Sequence, residues 1–398
     1  MKYALLVGDG MADFPIDELG GRTPLAAAQT PNMDRIAREG TLGRVATVPA
    51  GMPPGSDVAN LALMGYDPRQ YYRGRAPVEA ASMGVALGEN DVAFRCNLVT
   101  LDGDIMGDYS AGHIETDDAH ALIAELQNAL GSDTIRFHPG ISYRHLLVAS
   151  AIDDTGLQTT PPHDIIGRPW REHLPHGAAA AAVCKLMESA RDVLAASPVN
   201  AQRVSQGKRA ATDIWLWGQG RAVSLPSMRR RYGLSGSVIS AVDLVRGLGV
   251  LAGLTVRIVE GATGYLGTNY AGKVAAAAQA LDSEDLVYLH VEAPDETGHE
   301  GVLAKKIQAI EEFDRNVVGE MLRIADERGD LRVMVAPDHA TPIALRTHHE
   351  MPVPVAVCGP GVTVDAATEY CEAAAAESEV IDGPAMFDRF IRGTDGAA

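Results

Sequence analysis

Short apolar runs rich in Val, Leu and Ile recur along the chain at residues 3–7, 43–48, 92–101, 143–149, 255–259, 286–291, 331–335 and 354–357. Runs of this length, separated by longer stretches with helical spacing, predict strands of a mainly parallel sheet flanked by helices. One helix start is clear: Thr30-Pro31-Asn32-Met33 offers an N-cap followed by proline at the first helical position, and Gly40 is expected to close that helix. The middle of the chain reads differently, with an extended stretch at 91–101, a helix around Thr116–Leu130 and the Pro-rich segment Thr160-Pro161-Pro162-His163-Asp164. This shift predicts an inserted α+β domain at 75–240, which leaves 1–74 and 241–398 as one α/β core. The Ala-rich runs 178–182 and 373–376 are helix-prone and are expected to be plain helix faces.

Length agrees with that division, since 398 residues exceed what one ordinary hydrophobic core organises. Lys plus Arg number 34 against 52 Asp plus Glu, a net charge of -18. Such a surface repels nucleic acid and anionic lipid, so an anionic substrate must meet positive charge concentrated locally, from metals or a few placed arginines. No apolar stretch is long enough to span a bilayer, and the first residues run straight into a strand pattern; a soluble cytoplasmic protein is expected, with its oligomeric state open. Cys96, Cys184, Cys358 and Cys371 are too scattered for a zinc knuckle or a disulfide framework.

Ligands of open parallel sheets bind beyond the carboxyl ends of the strands, so polar residues just after apolar runs are the ones to inspect. The first run ends in Gly8-Asp9-Gly10, the run at 286–291 leads into Asp295 and His299, and the run at 331–335 leads into Asp338 and His339; His348-His349 precedes the run at 354. Singly, Asp9 could be a turn residue and Asp295 or Asp338 a helix cap. Together, carboxylates and neutral imidazoles at several strand ends suit two divalent cations of the borderline kind, manganese first, with zinc, cobalt or magnesium as alternatives. Pro53-Pro54-Gly55-Ser56-Asp57 is a tight turn feeding an apolar helix, which makes Ser56 either an ordinary N-cap or a nucleophile in the field of a helix N-terminus. Gly267-Thr268-Asn269-Tyr270-Ala271-Gly272-Lys273-Val274 nearly spells a phosphate-binding loop, but Val274 stands where Ser or Thr must reach magnesium. Lys273 is better read as a charge brought to a phosphoryl group at the domain boundary.

The stretches Asp9-Gly10-Met11-Ala12-Asp13, Thr30-Pro31-Asn32-Met33-Asp34, Pro54-Gly55-Ser56-Asp57, Tyr72-Arg73-Gly74-Arg75, Ala293-Pro294-Asp295-Glu296-Thr297-Gly298-His299-Glu300 and Pro337-Asp338-His339-Ala340-Thr341-Pro342 together resemble the archaeal-type, cofactor-independent phosphoglycerate mutases of the alkaline phosphatase superfamily. The resemblance covers nearly the whole chain in order. It implies an alkaline-phosphatase-like core interrupted by a substrate-binding insert. It further implies one metal held by Asp9, Ser56, Asp338 and His339, and another by Asp295, His299 and His348. Ser56 would take the phosphoryl group from 3-phosphoglycerate and return it to the other hydroxyl of the reoriented glycerate. Arg73, Arg75, Arg144 and His163 lie in family-like stretches and are candidates for binding the small anionic phosphorylated substrate, with Lys273 as a catalytic cation. One stretch departs: where archaeal mutases carry Asp-Arg-Arg-Ala-Gly-Arg, this chain has Asp108-Tyr109-Ser110-Ala111-Gly112-His113. That version resembles bacterial relatives proposed to be homoserine kinases, so transfer from ATP to homoserine stands as the alternative.

Overall fold

A computed structural model describes residues 1–150 and 152–393. Thirteen strands are described: β1 (Lys2–Gly8), β2 (Gly40–Ala46), β3 (Val92–Asp102), β4 (Ile105–Asp108), β5 (Ile135–His138), β6 (Arg144–Ala149), β7 (Asp213–Arg221), β8 (Gly236–Ile239), β9 (Thr255–Val256), β10 (Leu286–Val291), β11 (Leu331–Ala336), β12 (Val353–Cys358) and β13 (Val380–Asp382). The chain divides into two compact units, residues 1–72 with 224–398, and residues 73–223.

The first unit is built on an eight-stranded sheet in the order β13-β2-β12-β11-β1-β10-β8-β9. Strands β11, β1, β10, β8 and β9 run parallel, whereas β12 is antiparallel to both β11 and β2. β10 and β11 are buried along their whole length, which is why Leu286–Val291 and Leu331–Ala336 read as continuous apolar runs instead of alternating ones. The helices Pro31–Arg38, Tyr270–Ser283, Leu303–Phe313 and Gly319–Arg328 contribute Met33, Ile36, Ala277, Ile310, Phe313 and Met321 to the core on the sheet. The second unit, an α+β insert, is a five-stranded antiparallel sheet, β4-β3-β6-β5 with β7 beside β3. The helices Thr116–Leu130 and Ala180–Ala195 pack on it through Leu122, Leu126, Val183 and Leu194.

Several boundaries differ from those expected. The insert drawn at 75–240 takes in β8, which in fact pairs with β10 in the first sheet; a four-residue strand is too short to show its own periodicity. The run at 255–259 yields only Thr255–Val256, because it lies at the sheet edge and Ile258 is exposed. Gly40 does not stop the helix; Glu39 is its C-cap and Gly40 begins β2, where a Cβ would lie 1.9 Å from the Val357 carbonyl oxygen across the strand pair. Nor does the Thr30 side chain cap the helix. The buried Asp314 carboxylate accepts from the Asn32 and Met33 amides at 3.3 and 2.7 Å, the same orphan donors that an N-cap side chain serves. Residues 373–376 form turns, not a helix, because their neighbours are anchored: Tyr370 donates to the Pro354 carbonyl, and the Glu372 carboxylate accepts from the Asp13 amide and the Thr23 hydroxyl.

Candidate active site

Three carboxylates come together because β11, β1 and β10 are adjacent and parallel, with Val7 opposite Ala336 and Gly8 opposite Val291. Asp9 therefore leaves the sheet between Asp338, which follows β11, and Asp295, which sits in the first turn of the helix Ala293–Glu300 after β10. None of the three is a helix cap by its side chain. Gly10 turns the chain between them at φ 61°, and a Cβ there would stand 2.5 Å from Asp295 Oδ1 and 2.6 Å from Thr341 Oγ1, so only glycine fits.

Asp9, Asp338 and His339 form one cluster, all three buried, and Asp295, His299 and His348 form a second. In the first, His339 Nε2 lies 3.4 Å from Asp9 Oδ1 and 3.5 Å from Asp338 Oδ2. In the second, His299 Nε2 lies 3.2 Å from Asp295 Oδ2 and 3.0 Å from His348 Nε2, which is itself 3.6 Å from Asp295 Oδ1. Donors held about 2.1 Å from a common ion lie about 3.0–3.4 Å apart in octahedral or tetrahedral geometry, so both groups have the spacing of a cation site. The first cluster also has the electrostatics of one. Asp9 Oδ1 is buried without a hydrogen-bond partner among the described residues. Burial, and then the charges of Asp338, Asp295 and Glu292, push the Asp9 carboxyl well above the usual range. A divalent cation would remove that penalty. The surrounding groups orient the rings: His299 Nδ1 is 3.0 Å from the Arg346 carbonyl, which leaves Nε2 as the free lone pair. Thr341 Oγ1 donates to Asp295 Oδ1 and lies 3.2 Å from His339 Nδ1, linking the two clusters through one hydroxyl.

Ser56 is the first residue of the helix Ser56–Leu63, and the N-cap is Gly55. The hydroxyl therefore does no capping; it lies 3.1 Å from His339 Nε2 and so joins the first cluster. Lys273 is buried in the helix Tyr270–Ser283, and its ammonium donates to the His290 carbonyl at 2.9 Å. Burial lowers its pKa to about 8 against the opposing pull of Glu292. The loop that nearly spells a phosphate cradle is closed by its own side chain, since Asn269 accepts from the Gly272 amide at 2.8 Å and caps the helix.

In the insert, Arg75, Arg144 and His163 share one cluster. Arg75 and Arg95 both pair with Glu79 Oε1, at 2.9 and 3.0 Å, and both lie over the Trp217 ring. His163 meets Trp217 and Tyr109 edge-on, Tyr109 meets Tyr143, and Arg144 lies over Tyr143. Arg95 is buried with Nε unpartnered, and burial, with Arg75 and Arg144 nearby, lowers its pKa to about 10. Arg73 is exposed at the first residue of the unit.

The chain is 53% identical over 396 residues to the 2,3-bisphosphoglycerate-independent phosphoglycerate mutase of Methanothrix thermoacetophila, covering 99% of this chain and 100% of that one. The chain belongs to the 2,3-bisphosphoglycerate-independent phosphoglycerate mutase family. The model of that family matches residues 37–200, and the probable mutase of Geobacter sulfurreducens is 54% identical over 89% of this chain and 90% of its own. Among solved structures, a Pyrococcus horikoshii protein superposes with a TM-score of 0.82 at 29% identity over 100% of this chain and 99% of its own. The cofactor-independent phosphoglycerate mutase of Thermoplasma acidophilum does so with a TM-score of 0.66 at 25% identity, covering 98% and 99%.

Within this mutase-family chain the two adjacent histidines at 348 and 349 part company. His348 lies in the second cluster, whereas His349 packs edge-on against Phe14 and accepts the Met351 amide. The stretch at 108–113 is a turn in which the Asp108 carboxylate accepts from the Ser110 amide and hydroxyl and from the Gly112 amide. Sequence reasoning missed Arg95, Asn60, Tyr288, His290 and Thr341. His290 Nε2 is buried 3.0 Å from Asp9 Oδ2 without the alignment of a hydrogen bond, and burial lowers that ring to about 4. A lone histidine or arginine within an apolar strand was the available signal.

Proposed function

We propose that this protein interconverts 3-phosphoglycerate and 2-phosphoglycerate by moving the phosphoryl group through Ser56, with two divalent cations held by Asp9, Asp338, His339 and Ser56 and by Asp295, His299 and His348. The observation that carries this reading is the placement of the Ser56 hydroxyl at a helix N-terminus, 3.1 Å from His339 Nε2 of the first Asp/His cluster. Family membership supports the substrate class.

Cations at the two clusters would lower the pKa of the Ser56 hydroxyl and neutralise charge on the phosphoryl oxygens. The residues of the chain supply the rest. The Ser56 oxygen bonds to phosphorus as the bond to the glycerate oxygen breaks, and the helix Ser56–Leu63 points its positive end at the resulting phosphoserine. The second half of the cycle reverses the step onto the other hydroxyl of glycerate. The His339 ring, its Nδ1 beside Thr341 Oγ1, keeps Nε2 directed at Ser56. Arg75, Arg95 and Arg144 in the insert have the fork geometry suited to a carboxylate or phosphate, in place of the arginines absent at 108–113.

That absence is also the one feature favouring phosphorylation of homoserine by ATP. Two assays on metal-loaded protein separate the readings: 3-phosphoglycerate without any nucleotide, and homoserine with ATP, each followed by 31P NMR. Formation of 2-phosphoglycerate in the first is expected; product only in the second would replace the mutase reading with the kinase one.

A further inference from the structure

Asn60 lies one turn after Ser56 on the same helix, fully buried, and both of its amide hydrogens are in use. Nδ2 donates to the Ser56 carbonyl at 2.8 Å and to Asp338 Oδ2 at 2.6 Å. On its other side, Oδ1 accepts the Tyr288 hydroxyl at 2.5 Å. Tyr288 is buried in the middle of β10, and burial together with the charges of Asp338 and Asp9 raises its pKa well above the ordinary value, so it stays a neutral donor. The amide cannot turn over: a flip would set Oδ1 against the Asp338 carboxylate and leave the Ser56 carbonyl facing a second acceptor. The remaining oxygen of Asp338, Oδ1, accepts from the amides of Gly10 and His339 at 3.0 and 2.9 Å. One carboxylate is thus held by the turn after β1, by its own loop and, through Asn60, by the helix that carries Ser56.

We propose that Asn60, oriented by Tyr288, is a positioning residue that locks the helix of Ser56 to the Asp338 carboxylate, so that the nucleophile and the first cation site keep one common geometry. This inference rests on Ser56 being the nucleophile and Asp338 a metal ligand. Among the described residues the hydrogen bonds of Asn60 reach Ser56, Asp338 and Tyr288, so its effect is expected at the first of the two clusters.

The test is Mn2+ titration of chelator-stripped protein by calorimetry and EPR, with thermal melting and turnover of 3-phosphoglycerate alongside, for wild type, Asn60→Ala and Tyr288→Phe. Wild type should bind two ions. Asn60→Ala should weaken one of them by about 10–100-fold, the usual effect of removing a group that orients a ligand, and leave the other unchanged. Its kcat should fall more than its KM rises. Tyr288→Phe should weaken the same ion to a smaller degree, and the double variant should be no worse than Asn60→Ala, because Tyr288 acts through the amide. Unchanged affinity for both ions in folded variants, or equal weakening of both in step with melting temperature, overturns the inference. Should Asn60→Ala not fold, Tyr288→Phe, which deletes a single oxygen, carries the same comparison. Failure of the underlying functional reading looks different, since wild type itself would then bind no Mn2+ or leave 3-phosphoglycerate unchanged.

Discussion

Replacing Ser56 with alanine separates chemistry from architecture more sharply than any other change. Gly55, not Ser56, is the N-cap of the helix, and its side-chain-free position makes no cap bond that the substitution could remove. The hydroxyl makes one described hydrogen bond, 3.1 Å to His339 Nε2, whose net contribution to stability is about 1 kcal/mol. Alanine returns a few tenths of a kcal/mol, roughly, through its higher helix propensity. The melting temperature should therefore drop by only about 2–4 °C. Turnover should fall by about 10^4-fold or more, a loss above about 5 kcal/mol in transition-state stabilisation, because no neighbouring atom can take over the covalent step. Conversion of 3-phosphoglycerate followed by 31P NMR, with calorimetric melting of the same preparation, measures both. Acid quenching of wild type with labelled substrate should place the phosphoryl group on the peptide containing Ser56. A folded, metal-loaded Ser56→Ala protein that keeps a tenth of wild-type activity would refute the covalent route.

Exhaustive chelation should abolish activity, and manganese, cobalt or zinc should restore it better than calcium, given three imidazoles in the two clusters; full turnover with no metal detected would remove the cations from the mechanism. In the metal-free protein burial opposes protonation of His299, but the hydrogen bond and charge of Asp295 outweigh it and its pKa stands at about 9. Proton and cation compete for the same lone pair, so Mn2+ affinity should rise with pH up to about 9 and level off above it; an affinity independent of pH between 7 and 9 contradicts that assignment. Lys306→Met should destabilise the fold by about 3–5 kcal/mol, because the wholly buried ammonium pairs with Asp13 at 2.8 Å and its loss strands that carboxylate; an unchanged melting temperature would show the pair to be dispensable. Arg144→Ala should lower kcat/KM for 3-phosphoglycerate by about 1.5–3 kcal/mol, the range for a hydrogen bond to a charged group, and an unaltered value would take Arg144 out of substrate recognition.

What could be read in the chain without coordinates depended on how each residue differs from its surroundings. Asp9 and Asp338 follow the apolar strands β1 and β11, and Asp295 lies in the first turn of the helix after β10, where a parallel sheet exposes ligands; this made them legible. The strands β1, β10 and β11 were legible as continuous apolar runs, and the helix Thr116–Leu130 through its helical spacing over fifteen residues. By contrast β4, β8 and β13 span four, four and three residues, less than the pattern needs. The nine-residue β7 went unread although Trp215 and Trp217 alternate within it. Asn60, Tyr288 and Thr341 were illegible for a different cause. Each makes its contribution through partners 46 to 278 residues away, at Asp295, Asp338 and Asn60, and no local spacing encodes that.

The insert shows where resemblance and physics part. At 108–113 the chain departs from the mutase pattern, and there the backbone adopts left-handed φ at three successive residues, Ala111 at 49°, Gly112 at 72° and His113 at 50°. Glycine accepts that region freely, but a non-glycine residue there costs of order 1 kcal/mol or more. The turn is held nonetheless by the Asp108 carboxylate and by Arg203, which donates to the Ala111 carbonyl at 3.2 Å. Its product is a fixed Tyr109 and His113, each edge-on to Tyr143 beside Arg144. Beside this ordered aromatic wall, Arg75, Arg95 and Arg144 lie close to one another around Glu79. Burial raises the Glu79 carboxyl, yet the guanidiniums of Arg95, Arg75 and Arg144 outweigh that burial and hold it below the usual range. A carboxylate, which glycerate and homoserine both carry, suits such a group of guanidiniums, and the ammonium that homoserine alone carries would need an acceptor of its own. Turnover of 3-phosphoglycerate without nucleotide, not the charge of the cluster, therefore decides between the mutase and the kinase readings.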